Sequence, residues 1–281
     1  MAVKCRRDGA AGIVELDNPP VNAMGLALRQ GLMAAVDWAE NQPGLDRVIV
    51  TGMGRVFAAG GDAREFDAPP VAPHLPDVLN RIESCSVPWI AAAHGAALGG
   101  GLELMLACRY RIAAPGTQLG LPEVTLGVVP GAGGTQRLPR LVGTARAAEL
   151  ISTGKALTAE AALADGIIDA VAEDPLAEAM MVVGEALDTL PIVSTLPAPE
   201  PDADAIAAAR AAADKKQRAQ IAPQRALDLI EISASVPFDE ALEQERETFI
   251  TLRNGTQARA LRHIFFAERG AKAPDWLTAA P

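Results

Sequence analysis

Cysteine is sparse: Cys5, Cys85 and Cys108 are the only three in 281 residues. Their odd number and wide spacing give neither a disulfide framework nor a metal-ligand pattern. They suit reduced thiols in a cytoplasm. Histidine is equally sparse, and His74, His94 and His263 offer no pair at helical spacing, so no metal is expected. No apolar run approaches the roughly 20 residues of a membrane span. The longest, Val87 to Leu98, is interrupted by His94 and Gly95. The N-terminal MAVKCRRDGA has no apolar stretch behind its charges and does not read as a secretory signal. Positive charge is in deficit, with a formal net charge of −10, which argues against a nucleic-acid partner. Nucleotide signatures are missing as well. Gly131-Ala132-Gly133-Gly134 lacks the third glycine of a dinucleotide fingerprint. Gly154-Lys155 lacks the earlier glycine of a P-loop, and no G-x-S-x-G nucleophile turn occurs. No sequence repeat is present.

What is present is a globular composition, 49% apolar, long enough for one large domain or two smaller ones. Residues 1–18 read as a hairpin of strands ended by Asn18-Pro19-Pro20. A helix follows from Gly25 to Ala39, with Leu28, Leu32, Ala35, Val36 and Ala39 at helical spacing. Arg47 to Thr51 and Pro88 to Ala93 read as buried strands, with a helix marked by Leu75, Val78, Leu79 and Ile82 between them. Arg109 to Ala114 continues the series, and residues 127–134 read as a long loop. Helices are expected at Thr144 to Ile151, Thr158 to Ala164 and Pro175 to Leu190, with a short strand at Ile167 to Val171. This alternation argues for α/β architecture with parallel pairing. Pro191, Pro197, Pro199 and Pro201 mark a stiff linker. Beyond it only helices are expected: Ala203 to Ile221, Gln224 to Ser233, Phe238 to Arg253 and Thr256 to Glu268. The expected division is a core at 1–190, a Pro-rich linker at 191–202 and a helical region at 203–281.

The chemistry concentrates around His94 to Gly101 (HGAALGGG) and Glu103. Gly99, Gly100 and Gly101 separate an apolar run from a helix-like run. They let another molecule approach the backbone. A helix opening there aims unpaired N–H groups at whatever binds. Glu103 then falls in its first turn, where a solvated carboxylate is also a favourable bland choice. Glu123, after Gly120-Leu121-Pro122, stands in an apolar setting that would raise its pKa by desolvation. Alone it reads equally well as a helix-entry glutamate.

Three blocks of sequence carry a resemblance. Gly95 to Leu104 resembles the central signature of the crotonase (enoyl-CoA hydratase/isomerase) superfamily. Phe57-Ala58-Ala59-Gly60-Gly61-Asp62 resembles its earlier F-x-A-G-x-D loop, and Leu121 to Leu138 its third block. Asn18 to Ala23 and tail segments including Phe238 to Glu247 and Phe265 to Arg269 resemble the hydratase part of multifunctional β-oxidation enzymes. In those enzymes a nicotinamide-binding dehydrogenase follows. This sequence stops at Pro281, so no dehydrogenase activity is implied.

The resemblance implies a crotonase-type spiral of ββα turns with a C-terminal helical region. It implies hydration of a trans-2-enoyl-CoA to a 3-hydroxyacyl-CoA, with the backbone N–H groups of Gly61 and Gly100 as oxyanion hole. Glu103 would activate water, and Glu123 would exchange the proton at the α-carbon. Ala59, Gly61 and Asp62 would lie in the CoA-contacting loop. Arg64 is open to two readings, a CoA phosphate contact and an ordinary surface arginine. Asp62 reads as a structural cap, His94 as a packed histidine at a strand end, and Phe265-Phe266 as helix core. No metal or redox cofactor is implied, because CoA belongs to the substrate. The rivals are Δ3,Δ2-enoyl-CoA isomerisation through Glu123 alone and a non-catalytic acyl-CoA binder. A glycosidase-like use of the carboxylate pair leaves the glycine loops unexplained. Free-standing family members form trimers or pairs of trimers through the tail, whereas the multifunctional kind folds it over its own active site. A homotrimer or hexamer therefore stays open.

Overall fold

The structure, a computed structural model, describes residues 2–271. The chain opens with β1 (Val3–Asp8), β2 (Ala11–Leu16), α1 (Leu26–Glu40), β3 (Arg47–Gly52), β4 (Ala58–Ala59) and α2 (Leu75–Glu83). It continues with β5 (Trp89–Ala93), β6 (Ala96–Leu98), α3 (Gly100–Leu106), β7 (Tyr110–Ala113), β8 (Gln118–Gly120) and α4 (Gly134–Thr153). Next come β9 (Leu157–Thr158), α5 (Ala159–Ala164), β10 (Ala170–Val171), α6 (Pro175–Met181) and α7 (Gly184–Asp188). The tail is α8 (Ala203–Lys216), α9 (Ala222–Ser233), α10 (Phe238–Arg253) and α11 (Thr256–Gly270). Two sheets result, one in the order β1-β2-β3-β5-β7-β10 and one in the order β4-β6-β8-β9. From β3 to α4 each turn of the chain gives one strand to each sheet and then a helix, and in the last turn α5 stands between β9 and β10. That is the expected spiral of ββα turns.

The hairpin β1–β2 is antiparallel, while β2, β3, β5, β7 and β10 pair in parallel. Parallel strands need helices across their faces, so they are apolar on both sides. In β5, Trp-Ile-Ala-Ala-Ala is buried at every position. In the small sheet, β4, β6 and β8 are parallel, with Ala59 opposite Leu98 and Leu98 opposite Gly120. This register brings the segments after the three strands to one edge, and that edge carries the site.

Three helical expectations are corrected. The helix expected from Thr144 begins at Gly134, with an interruption at Gly143 (φ 79°, ψ 164°). Residues Gly134 to Pro139 are all buried, so this half has no polar face and no helical period to read. The helix expected from Pro175 to Leu190 is two, because Val182 is extended (φ −68°, ψ 123°). The helix expected to reach Ile221 ends at Lys216, and Ala219 takes φ 62°.

The tail shares the central core. Ile206, Ala222, Ala226, Leu227, Leu229 and Ile230 belong to the same buried cluster as Leu28, Val50, Leu104 and Ile151. The Pro-rich segment is strapped across the surface. Val193 is buried, Ser194 N–H donates to Glu83 Oε1 at 3.1 Å, and Thr144 Oγ1 donates to the Glu200 carbonyl at 3.0 Å. Among the described residues no helix is long and apolar enough to cross a membrane.

Candidate active site

The parallel pairing of β4 with β6 sets Gly60-Gly61 beside Gly99-Gly100. Gly60 N–H donates to the Leu98 carbonyl at 2.6 Å, and Met24 N–H donates to the Gly60 carbonyl at 2.9 Å. A Cβ placed on Gly100 would lie 3.7 Å from Gly61 N, which fixes the two amides as neighbours. Gly100 is the first residue of α3, so its N–H has no partner within the helix. Among the described residues neither the Gly61 nor the Gly100 amide has an acceptor. A Cβ on Gly101 would run into the Ala58 carbonyl, so glycine there lets α3 start hard against β4.

Two carboxyl groups face this edge. Glu103, one turn into α3, is only 3% exposed. Its Oε1 accepts from the N–H groups of Ala132 at 2.8 Å and Gly134 at 3.0 Å. Burial pushes its pKa above the ordinary carboxyl value. The two amides and the charges of Arg137 and Arg246 work against that rise. Glu123 opens the 3-10 turn Glu123–Leu126 after β8. As a residue it is half-buried, yet its Oε2 is sealed from solvent with no hydrogen-bond partner. Its Oε1 stands 2.6 Å from where a Cβ of Gly99 would be, so the absent side chain at 99 is its seat. Burial, then the charges of Glu103 and Glu245, hold its pKa well above the ordinary value. The two environments are unequal: Glu103 has two amide donors that oppose the rise in its pKa, and Glu123 Oε2 has none.

Comparison with known proteins decides the family. The family model described as enoyl-CoA hydratase/isomerase matches residues 6–226. The chain belongs to the enoyl-CoA hydratase/isomerase family. It is similar to a peroxisomal bifunctional enzyme of Danio rerio, 41% identical over an alignment of 269 residues that covers 94% of this chain and 37% of the relative. It therefore spans well under half the length of that relative. It is also similar to a probable enoyl-CoA hydratase of Bacillus subtilis, 43% identical over 62% of this chain and 70% of the relative. Among solved structures, the enoyl-CoA hydratase of Bacillus anthracis aligns over 96% of this chain and 97% of its own, with TM-score 0.62 and 29% identity.

In this hydratase/isomerase chain the remaining expected residues take definite places. Ala59 ends β4 and its N–H donates to the Val21 carbonyl at 2.9 Å. Asp62 caps the 3-10 turn Ala63–Asp67 by accepting from Arg64 N–H at 3.1 Å. Arg64 is 75% exposed in its side chain and folds back onto Asp62, donating at 2.8 and 2.7 Å. His94 meets the Gly54 carbonyl at 3.0 Å through Nε2. The expectation that Phe265-Phe266 is helix core is corrected. The rings stack edge to face at 5.4 Å, but Phe266 is 42% exposed, because the end of α11 stands clear of the core.

Several participants escape a reading of the sequence. Asn22, buried with φ 51°, donates to the carbonyls of Met53, Val56 and Phe57 at 3.0 Å each, and so shapes the chain entering β4. Arg137 is buried, pairs with Glu83 at 2.6 Å and donates to the Ala132 carbonyl at 3.0 Å. Glu245, from α10, is completely buried and accepts from Gly133 N–H, Thr135 N–H and Thr135 Oγ1 at 2.6, 2.8 and 2.6 Å. The one available signal for Glu245 was its position in the tail segment that resembles the multifunctional enzymes.

Proposed function

We propose that the chain is an enoyl-CoA hydratase that adds water syn across the double bond of a trans-2-enoyl-CoA, giving a 3-hydroxyacyl-CoA. The observation that carries this reading is the pair of unequal buried carboxyl groups, Glu103 and Glu123, beside two amides without acceptors. The thioester oxygen would lie between the N–H groups of Gly61 and Gly100, where charge builds as the enolate forms. Glu103 takes a proton from water as its oxygen bonds to C3. The π electrons move through C2 onto the thioester oxygen. They then return to form the C2–H bond with the proton of Glu123. Glu103 ends protonated and Glu123 ionised, and water returns the proton between turnovers.

Isomerisation needs one carboxyl group and leaves Glu103 without a task, so hydration is the better account of both. The CoA moiety would pass along the Ala59–Asp62 loop, with Arg64 at its solvent side. The reaction as written calls on no metal or redox cofactor. A reducing aqueous compartment such as the cytoplasm is the expected setting.

The test is the loss of the conjugated enoyl thioester absorbance across a panel of chain lengths. Glu103→Gln keeps the shape and removes the base, and should cost about 10²–10⁴ in rate. Glu123→Gln removes the proton donor and should cost a similar factor. A folded wild-type chain that binds these thioesters and hydrates none would replace the enzyme with the non-catalytic binder.

A further inference from the structure

Four consecutive amides alternate between two carboxyl groups. Those of Ala132 and Gly134 point to Glu103, and those of Gly133 and Thr135 point to Glu245. The segment they belong to, the loop end and the first residues of α4, has glycine at 131, 133 and 134, with Gly133 at φ 102°, and so has little side-chain restraint of its own. Turning the peptide unit of 133 or 135 also turns its neighbours, and the neighbours are the donors that aim Glu103. Glu245 takes no part in the chemistry set out above, yet it is completely buried and has three donors on it.

We propose that Glu245 is a positioning residue for hydration: by holding the amides of Gly133 and Thr135, it fixes the alternate amides that orient Glu103. This rests on the hydratase reading. The rest of α10 extends the same role. Glu245, Phe249 and Arg253 recur every four residues and so fall along one face of the helix. A Cβ on Gly131 would come within 2.6 Å of the Phe249 ring, and that ring meets Phe66 edge to face at 5.6 Å. Arg253 donates to the carbonyls of Glu65, Phe66 and Ala68 at 2.7, 3.1 and 2.7 Å. One face of a tail helix therefore braces the loop that aims Glu103 and the segment that follows Gly61. The helical tail thereby supports the candidate site from behind.

Glu245→Gln is the variant that tests this. A carboxamide has one acceptor oxygen and one donor nitrogen, so at least one amide of the loop loses its partner. Two reactions are followed in the full chain. One is hydration of a 2-enoyl-CoA. The other is exchange of the α-proton of a saturated acyl-CoA with solvent deuterium, which calls on Glu123 and the Gly61 and Gly100 amides but not on Glu103. A small misplacement of a reacting group costs up to about 10²-fold. The expected result is a fall of about 10- to 10²-fold in hydration kcat with KM little changed and exchange retained. Thr135→Val removes a single donor and should give a smaller loss of the same kind. It carries the test if Glu245→Gln does not fold. Hydration at the wild-type rate in the folded variant overturns the proposal. So does an equal fall in hydration and exchange, which marks a general structural role. A wild-type chain that hydrates no enoyl-CoA fails at the earlier step and removes the hydratase reading with this one.

Discussion

Gly99 shows how much a missing side chain can decide. Its φ of 53° and ψ of −126° lie outside the regions an L side chain accepts, and a Cβ would stand 2.6 Å from Glu123 Oε1. Gly99→Ala should therefore lower the melting temperature, with strain of about 1–3 kcal/mol, and depress hydration by displacing Glu123. Calorimetry and the enoyl thioester assay read the two effects separately. At the neighbouring position, Gly100→Pro deletes the N–H. Loss of one such donor costs about 10²–10³ in rate, and circular dichroism checks that the turn survives. A well-folded Gly100→Pro chain with unchanged turnover would remove Gly100 from the proposed oxyanion hole. The pH profile belongs to the same scale. In the proposed mechanism Glu103 acts ionised and Glu123 protonated, and burial raises both above the ordinary carboxyl value. The kcat/KM profile should be bell-shaped. Its acid limb should lie above the roughly 4.3 of a free glutamate, and its alkaline limb should mark loss of the Glu123 proton. The limbs belong to the interacting pair rather than to either residue alone.

Among the elements, α10 joins the most. The pattern of Phe238 to Arg253 is readable as a helix and the structure has it with those bounds. Nothing in the pattern tells which loops its buried face will meet. Arg253 is 6% exposed and serves three carbonyls of the segment after Gly61. Arg253→Ala strips these part-buried carbonyls of their donor, and a hydrogen bond of this kind contributes about 0.5–1.5 kcal/mol. A lower melting temperature and a raised KM for the thioester are expected, because the loosened segment borders the proposed CoA loop. A variant with native stability and KM would show that the segment holds itself. The opposite case is α4. Its first half was unreadable because it is buried all round, and the interruption at Gly143 separates it from the half that does carry helical spacing.

At the scale of the whole molecule, tail and spiral share one core. Cutting the chain at Pro201 would uncover the partners of Ile206, Ala222, Leu227 and Ile230 and remove Glu245 and Arg253. Aggregation or loss of most activity is the expected outcome, read by light scattering and the hydration assay. Stability should also depend on pH through the buried carboxyl groups. Burial and the charge of Glu103, opposed by three hydrogen-bond donors, push Glu245 up to about 8. A free glutamate titrates near about 4.3, so between these values the folded chain binds more protons than the unfolded one. The contribution is complete below the lower value and is lost as pH rises through the upper. Melting temperature should fall across this window, and the fall should be shallower in Glu245→Gln. An identical slope in the two proteins would show that Glu245 does not titrate there.

The sequence by itself determined the local chemistry and the order of the parts. Glycines at 61, 99, 100 and 101, the carboxyl groups at 103 and 123, the Asp62 cap and the alternation of strand and helix are all short-range features. Each needs only its neighbours in the chain to be read. Tertiary structure decided what those parts meet. Glu245 lies 112 residues from the Gly133 amide it holds, and Arg253 lies 187 residues from the Phe66 carbonyl. No local pattern encodes such a pairing. The unequal environments of the two glutamates have the same origin. A pKa is set by burial and by nearby charges, and both exist only once the spiral has closed and the tail has folded back over the site.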